Sequence, residues 1–123
     1  MRRLALTTLL LAAPACSNPA DPDLLVEPIE IESVEVLVLE SSPPQAQAHV
    51  RGFIGDGCSE LKSVEQQRTG NSVTVTILRQ RERAAICTQI AKLYDAVLRL
   101  EGSYPPGRYV LRVNGIETFF TTQ

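Results

Sequence analysis

A single histidine (His49), three cysteines and an alternating run of arginines are the side chains from which chemistry would have to be built in this 123-residue chain. Arg79, Arg81 and Arg83 are separated by Gln80 and Glu82, so on a strand they share one face and could grip an anion; a solvated strand end carries the same pattern. Asp56 and Glu60 lie either side of Cys58, as paired carboxylates for glycoside hydrolysis would, but the glycines around them read as a turn, where Asp is favoured for bonding its own backbone. A Ser-His-Asp hydrolase would have to use His49, which falls mid-strand beside Arg51, and the sequence contains no Gly-x-Ser-x-Gly elbow. Gly52, Gly55 and Gly57 are not followed by a helix start with Lys-Ser/Thr, so they make no phosphate cradle. Cys58, Cys87 and the distant His49 fall short of four zinc ligands, and regularly spaced Asp and Asn of a calcium loop are absent. These residues predict no catalytic set, no metal and no cofactor. With no Trp, 5% aromatic residues and a net charge of -2, the chain also lacks the stacked rings and basic face of a nucleic-acid binder.

The elements that position these residues are read from alternation. Ser33 to Leu39 sets Val34, Val36 and Val38 against Glu35, Leu37 and Leu39, and Ser41-Ser42-Pro43-Pro44 ends the run because proline gives no hydrogen to a ladder. Ala46, Ala48, Val50, Gly52 and Ile54 then share one parity, opposite Gln47, His49, Arg51 and Phe53. A turn over 55–60 leads into a weaker strand from Leu61 to Arg68. Thr69-Gly70-Asn71-Ser72 has hairpin chemistry and opens a strand carrying Val73, Val75 and Ile77. Arg108 to Val113 and Ile116 to Thr121 flank Asn114-Gly115, the pair that suits the two positive φ angles of a type I′ turn. Over 81–100 the residues leave two readings open. Ile86, Ile90, Leu93, Val97 and Leu100 form a helical stripe, whereas the β-branched Thr88, Ile90 and Val97 favour a strand.

The amino terminus reads as an address. Met1-Arg2-Arg3 is a positive start, Leu4 to Ala13 is apolar, and Pro14-Ala15 are small residues before Cys16, which together make a secretory signal. The apolar stretch is about half of the roughly 20 residues a membrane-spanning helix needs, so no transmembrane anchor is expected. The cysteine after Ala13-Pro14-Ala15 resembles the lipobox of bacterial lipoproteins, with Ala13 where that family usually has Leu. The resemblance implies that residues 1–15 are removed and that lipid is attached to Cys16. The protein would then be anchored in the bacterial cell envelope, at the outer membrane on its periplasmic or surface side, since Ser17 is not the Asp of an inner-membrane retention signal. Ordinary secretory cleavage would instead leave Cys16 as a free thiol. With Cys16 lipidated, the odd cysteine count leaves Cys58 and Cys87 for a disulfide, in a compartment where disulfides persist. Residues 16–32, acidic and punctuated by Pro19, Pro22 and Pro28, read as a stretched tether, or alternatively as a docking strip for a basic partner. Residues 33–123 are left as the folded domain.

Gly55-Asp56-Gly57-Cys58-Ser59-Glu60, Cys87-Thr88-Gln89 and Pro106-Gly107-Arg108-Tyr109 running into Val113-Asn114-Gly115 resemble a set of small exported bacterial β-sandwich domains of uncharacterised function. Tyr104 to Tyr109 also resembles the approach to a late strand of immunoglobulin-like sandwiches, which implies that Tyr109 turns inward and its hydroxyl caps backbone upstream. The implied fold is all-β, an immunoglobulin-like antiparallel β-sandwich of about seven strands. The segment after Cys87 is then a strand, with room for one short helix within 81–100, because Ala91-Lys92-Leu93-Tyr94 departs from the apolar strand and proline usual there. The resemblance brings no enzymatic activity. The tether, the rigid scaffold and the missing catalytic set lead to the expectation of a non-catalytic, lipid-anchored interaction or structural module with an envelope protein partner; the alternative is an exported peptidase inhibitor presenting loops 55–60 and 102–107.

Overall fold

The computed structural model describes residues 23–123. They form β1 (Leu24–Pro28), β2 (Glu30–Leu39), β3 (Gln45–Gly55), β4 (Glu60–Thr69), β5 (Ser72–Glu82), β6 (Lys92–Arg99), β7 (Gly107–Val113) and β8 (Ile116–Thr122). One sheet has the order β2-β3-β6. In the other, β5 is central: β4 runs along one side, while β1 and β7 share the opposite side end to end, with β8 beyond β7. The chain is thus an all-β sandwich of two sheets. It has eight strands where about seven were expected, and no helix among the described residues.

Alternation explains the core. Ala46, Ala48 and Val50 of β3 face Val73, Val75 and Ile77 of β5 together with Leu111 and Val113 of β7, all at most 1% exposed. Val34, Val36 and Val38 of β2 pack against this layer from the partly buried side. A Cβ at Gly52 would strike the backbone of Glu30 and Ile31, so only glycine lets β3 pass beneath the start of β2. The β5–β7 pair is parallel, unlike the other pairings here and unlike the antiparallel expectation, because β7 joins β5 only after the chain has crossed to the other sheet and returned.

Two sequence expectations need correction. The tether does not extend to residue 32. Leu24-Leu25-Val26 opens an edge strand on β5, Pro28 ends it where a missing N–H costs little, and the chain crosses to the other sheet at Ile29, which is buried. Residues 16–22 of the proposed tether, Cys16 and the signal segment 1–15 lie outside the described residues. The helix allowed within 81–100 is not formed: an irregular loop over 85–91 leads into β6. The inward parity of β6 is Tyr94, Ala96 and Leu98, continued by Leu100. Ile86, Ile90, Leu93 and Val97 of the apparent helical stripe point to solvent.

Candidate functional site

The sandwich has two ends, and the sequence-predicted residues divide between them. At the first, β5 keeps alternating beyond its buried valines, so Arg79 and Arg81 continue the inward parity of Val73, Val75 and Ile77. Arg79 Nη2 donates to Glu27 Oε2 at 2.8 Å and Nη1 to the Ile54 carbonyl at 3.1 Å. Arg81 Nη1 donates to Asp56 Oδ2 at 2.7 Å and Nη2 to the Ala85 carbonyl at 3.4 Å. Arg83 lies past the strand end, its backbone N–H on the Asp23 carbonyl at 2.8 Å. Two of the three arginines are therefore neutralised by carboxylates, and the anion grip is not formed.

Asp56 is the hub of this end. It accepts the Cys58 N–H at 3.1 Å and the Ser59 hydroxyl at 3.0 Å besides the Arg81 guanidinium. Burial pushes its pKa up, but the Ser59 and Cys58 hydrogen bonds and the charge of Arg81 outweigh that and hold it below its ordinary 3.8. Lys92 Nζ donates to the Ser59 carbonyl at 3.0 Å, and the Gly57 N–H to the Thr88 carbonyl at 3.0 Å. Cys58 and Cys87 are disulfide-bonded, with Cα atoms 5.4 Å apart, which fastens the 55–60 turn to the 85–91 loop. Ligand atoms of Asp56, Cys58 and Cys87 gather within 4.8 Å of one another, but the sulfurs are bonded to each other and the carboxylate to Arg81. Glu60 opens β4 on the surface, whereas Asp56, the other half of the expected carboxylate pair, is bonded to Arg81. A groove of about 380 Å³ runs beside this cluster, lined by Glu30, Phe53, Gly55, Asp56, Gln89, Ile90 and Ala91.

The opposite end is aromatic. The Tyr109 hydroxyl donates to the Pro105 carbonyl at 2.6 Å, and Thr122 Oγ1 donates to the same carbonyl at 2.7 Å. Tyr104 is fully buried, with its hydroxyl on the Glu101 carbonyl at 2.9 Å. Its ring meets Tyr109 edge-on at 5.1 Å, while Tyr109 stacks on Phe120 at 5.2 Å. Arg68 lies over the Tyr104 ring at 4.2 Å and reaches the Ser103 carbonyl at 2.6 Å. Nothing in the sequence singles out Arg68, whose partners at this end, Ser103 and Tyr104, lie 35 and 36 positions away along the chain.

Asn114 and Gly115 form the two-residue turn between β7 and β8, with φ of 46° and 87°. The asparagine side chain does more than tolerate that geometry. Its Oδ1 accepts the Ile77 N–H at 2.8 Å, and its Nδ2 donates to the carbonyls of Ile77 at 2.9 Å and Ile29 at 3.0 Å. The amide thus stands in for a peptide group, extending the β5–β7 ladder and pinning the crossover between β1 and β2. His49 is on the outer face of β3, 2.6 Å from Asp95 Oδ1 on β6, with Arg51 3.6 Å from the other carboxylate oxygen. The His49 hydrogen bond leads the causes that hold the Asp95 carboxyl below its ordinary range. Among the described residues no serine is hydrogen-bonded to His49, whose partners Asp95 and Arg51 make with it a cross-strand ion cluster on the sheet's outer face.

The model of the ORF11 beta-sandwich domain family matches residues 48–122, a span from within β3 to the end of β8 that holds both cysteines of the disulfide. The chain belongs to this family. The ORF11 beta-sandwich match leaves β1 and β2 outside it. The chain is 33% identical over 86 residues to the uncharacterized 10.2 kDa protein in the HgiCIIM 5′ region of Herpetosiphon aurantiacus, covering 70% of this chain and 92% of that protein. The uncharacterized 10.2 kDa proteins in the HgiBIM and HgiEIM 5′ regions of the same organism are each 28% identical over 76 residues, covering 62% of this chain and 93% of each relative. No solved structure matches the chain.

Proposed function

We propose that this ORF11-type β-sandwich is a non-catalytic, lipid-anchored module of the bacterial cell envelope that holds or docks another envelope component. The observation that supports this best is the closure of the charged end upon itself. Arg79 is spent on Glu27, Arg81 on Asp56, Lys92 on the Ser59 carbonyl, and the two sulfurs on each other. Side chains committed in this way lock a scaffold, whereas an acid, base or nucleophile must be within reach of a substrate. The anchor rests on the basic start, the apolar stretch and Pro14-Ala15-Cys16.

A peptidase inhibitor that presented both loops together would need them in one cleft. Loop 55–60 follows the last residue of β3, whereas 102–107 lies by the β3 start, where the Tyr104 N–H meets the Pro44 carbonyl. An 11-residue strand separates them, on the order of 35 Å at the usual rise, so one cleft meets only one loop. Ser59 is also buried within the first loop. Cell fractionation tests the proposal: the wild-type chain should sediment with membranes and Cys16→Ser should move to the soluble fraction. Retention of the Ser variant in membranes would refute lipid anchoring. Serine and cysteine proteases should keep full activity beside a micromolar concentration of the domain; loss of activity would favour the inhibitor.

A further inference from the structure

The chain enters the sandwich at its charged end. Leu24 pairs with Glu82, and the Asp23 carbonyl accepts the Arg83 N–H, so the segment arriving from Cys16 meets the fold beside the 83–91 loop. From Cys16 to Asp23 there are seven residue steps, which cannot span more than about 25 Å in any conformation. The loop they reach is apolar on its outer side. Ile86 is fully exposed, Ile90 and Leu93 are 69% and 72% exposed, and Arg83 is the loop's only charge. Its root is rigid: Cys87 is tied to Cys58, and Thr88 accepts the Gly57 N–H.

We infer that the 83–91 loop is a membrane-contacting loop, dipping Ile86 and Ile90 into the lipid surface to which Cys16 is anchored. The inference rests on the lipid-anchored reading above. A short tether converts a weak apolar insertion into an intramolecular event at high effective concentration, so two isoleucines suffice where they would not hold a free domain. Glu60 and Glu82 beside the loop balance Arg83 and Lys92 at its two ends, so no net positive charge draws it to anionic headgroups and contact is driven by apolar side chains. The sandwich then stands end-on, with the β4–β5 turn at Thr69–Ser72 pointing away, on the order of 35 Å farther out along the 11 residues of β5.

The absence of tryptophan makes this testable with one fluorophore at a time. The full lipidated protein, as Ile86→Trp, Ile90→Trp or Thr69→Trp, is reconstituted into phosphatidylcholine vesicles with brominated acyl chains. These sites are exposed, so the substitutions leave the core intact. Protein that floats with the vesicles and is quenched severalfold more at position 86 or 90 than at 69 supports the inference. Protein that floats but shows no quenching at 86 and 90, or equal quenching at 69, overturns the loop contact while leaving the anchor standing. Protein that does not float overturns the anchor and the loop contact together.

Discussion

The two ends of the sandwich solve one problem with different materials. Where two sheets stop, inward-facing positions would open to water. At the end where β5 finishes, the inward positions are Arg79 and Arg81, and the gap is closed by carboxylates, a lysine and a disulfide. At the other, Tyr104, Tyr109 and Phe120 fill it, the tyrosine hydroxyls returning to backbone carbonyls and Arg68 lying across the top. The aromatic end draws its stability from buried area, whereas the charged end depends on partners brought from far along the chain and on a covalent link. Rings contribute wherever they are enclosed, but a guanidinium at a sheet end is favourable only while its carboxylate is in place.

The sharpest break of that contrast is Tyr104→Ala, which removes a fully buried ring and should cost about 4 kcal/mol in denaturant unfolding. A loss near zero would mean that the ring does not hold its end together. Replacing Cys58 and Cys87 together by Ser should cost about 3.5 kcal/mol for a link spanning 29 positions, seen as a melting temperature lower by roughly 4–8 °C per kcal/mol. A melt indifferent to the pair, or to reductant, would remove the covalent part of the contrast. Tyr109→Phe keeps the stacking and loses only the bond to Pro105, so about 1 kcal/mol is expected. Combined with the cysteine pair it should add within about 0.5 kcal/mol, because the ends share no partners; strong coupling would show that they are not independent.

The smallest effects are in pH. Asp56 has a folded pKa below that of the unfolded chain, so the stability it contributes is present above the ordinary carboxylate range and is lost as pH falls through the folded value. Tyr104 is the reverse. Burial, partly offset by Arg68, raises its pKa, so its contribution is present below about pH 10 and lost as pH rises further. Asp56→Asn should therefore make the acid limb of stability against pH shallower and leave the alkaline limb unchanged. Asp95, also held below its ordinary range, keeps a share of the acid limb, and Tyr94, raised by burial, a share of the alkaline one; a change in the alkaline limb on Asp56→Asn would contradict the separation of Asp56 from the tyrosines.

Much of the fold is legible in the residues themselves. Strands at 33–39, 46–54, 73–77, 108–113 and 116–121 follow from alternation, since each has one face in a common core, and Asn114-Gly115 marks its turn by backbone sterics alone. The stripe Ile86, Ile90, Leu93, Val97, Leu100 misleads because periodicity assumes that apolar residues face inward, and four of these five face water. The true inward face of β6 includes Ala96 and a tyrosine, which give a weak signal. β1 is hidden because a three-residue apolar run between acids and prolines looks like a tether, and its partner residues lie at least 50 positions away. Sequence separation also hides the site: the parity of Arg79 and Arg81 with the buried valines is in the sequence, but Glu27 and Asp56, 52 and 25 positions away, become their partners only through the fold. Asn114 carries an obvious turn signal, whereas the part its amide plays in joining three strands leaves no trace in local sequence.

An intact mass of the native protein extracted from membranes tests the anchor and the disulfide together. A chain beginning at Cys16, heavier by its acyl groups and lighter by the two hydrogens of the Cys58–Cys87 bond, is the predicted result. An unmodified first residue together with two alkylatable thiols would contradict both the anchor and the locked end it is proposed to hold at the membrane.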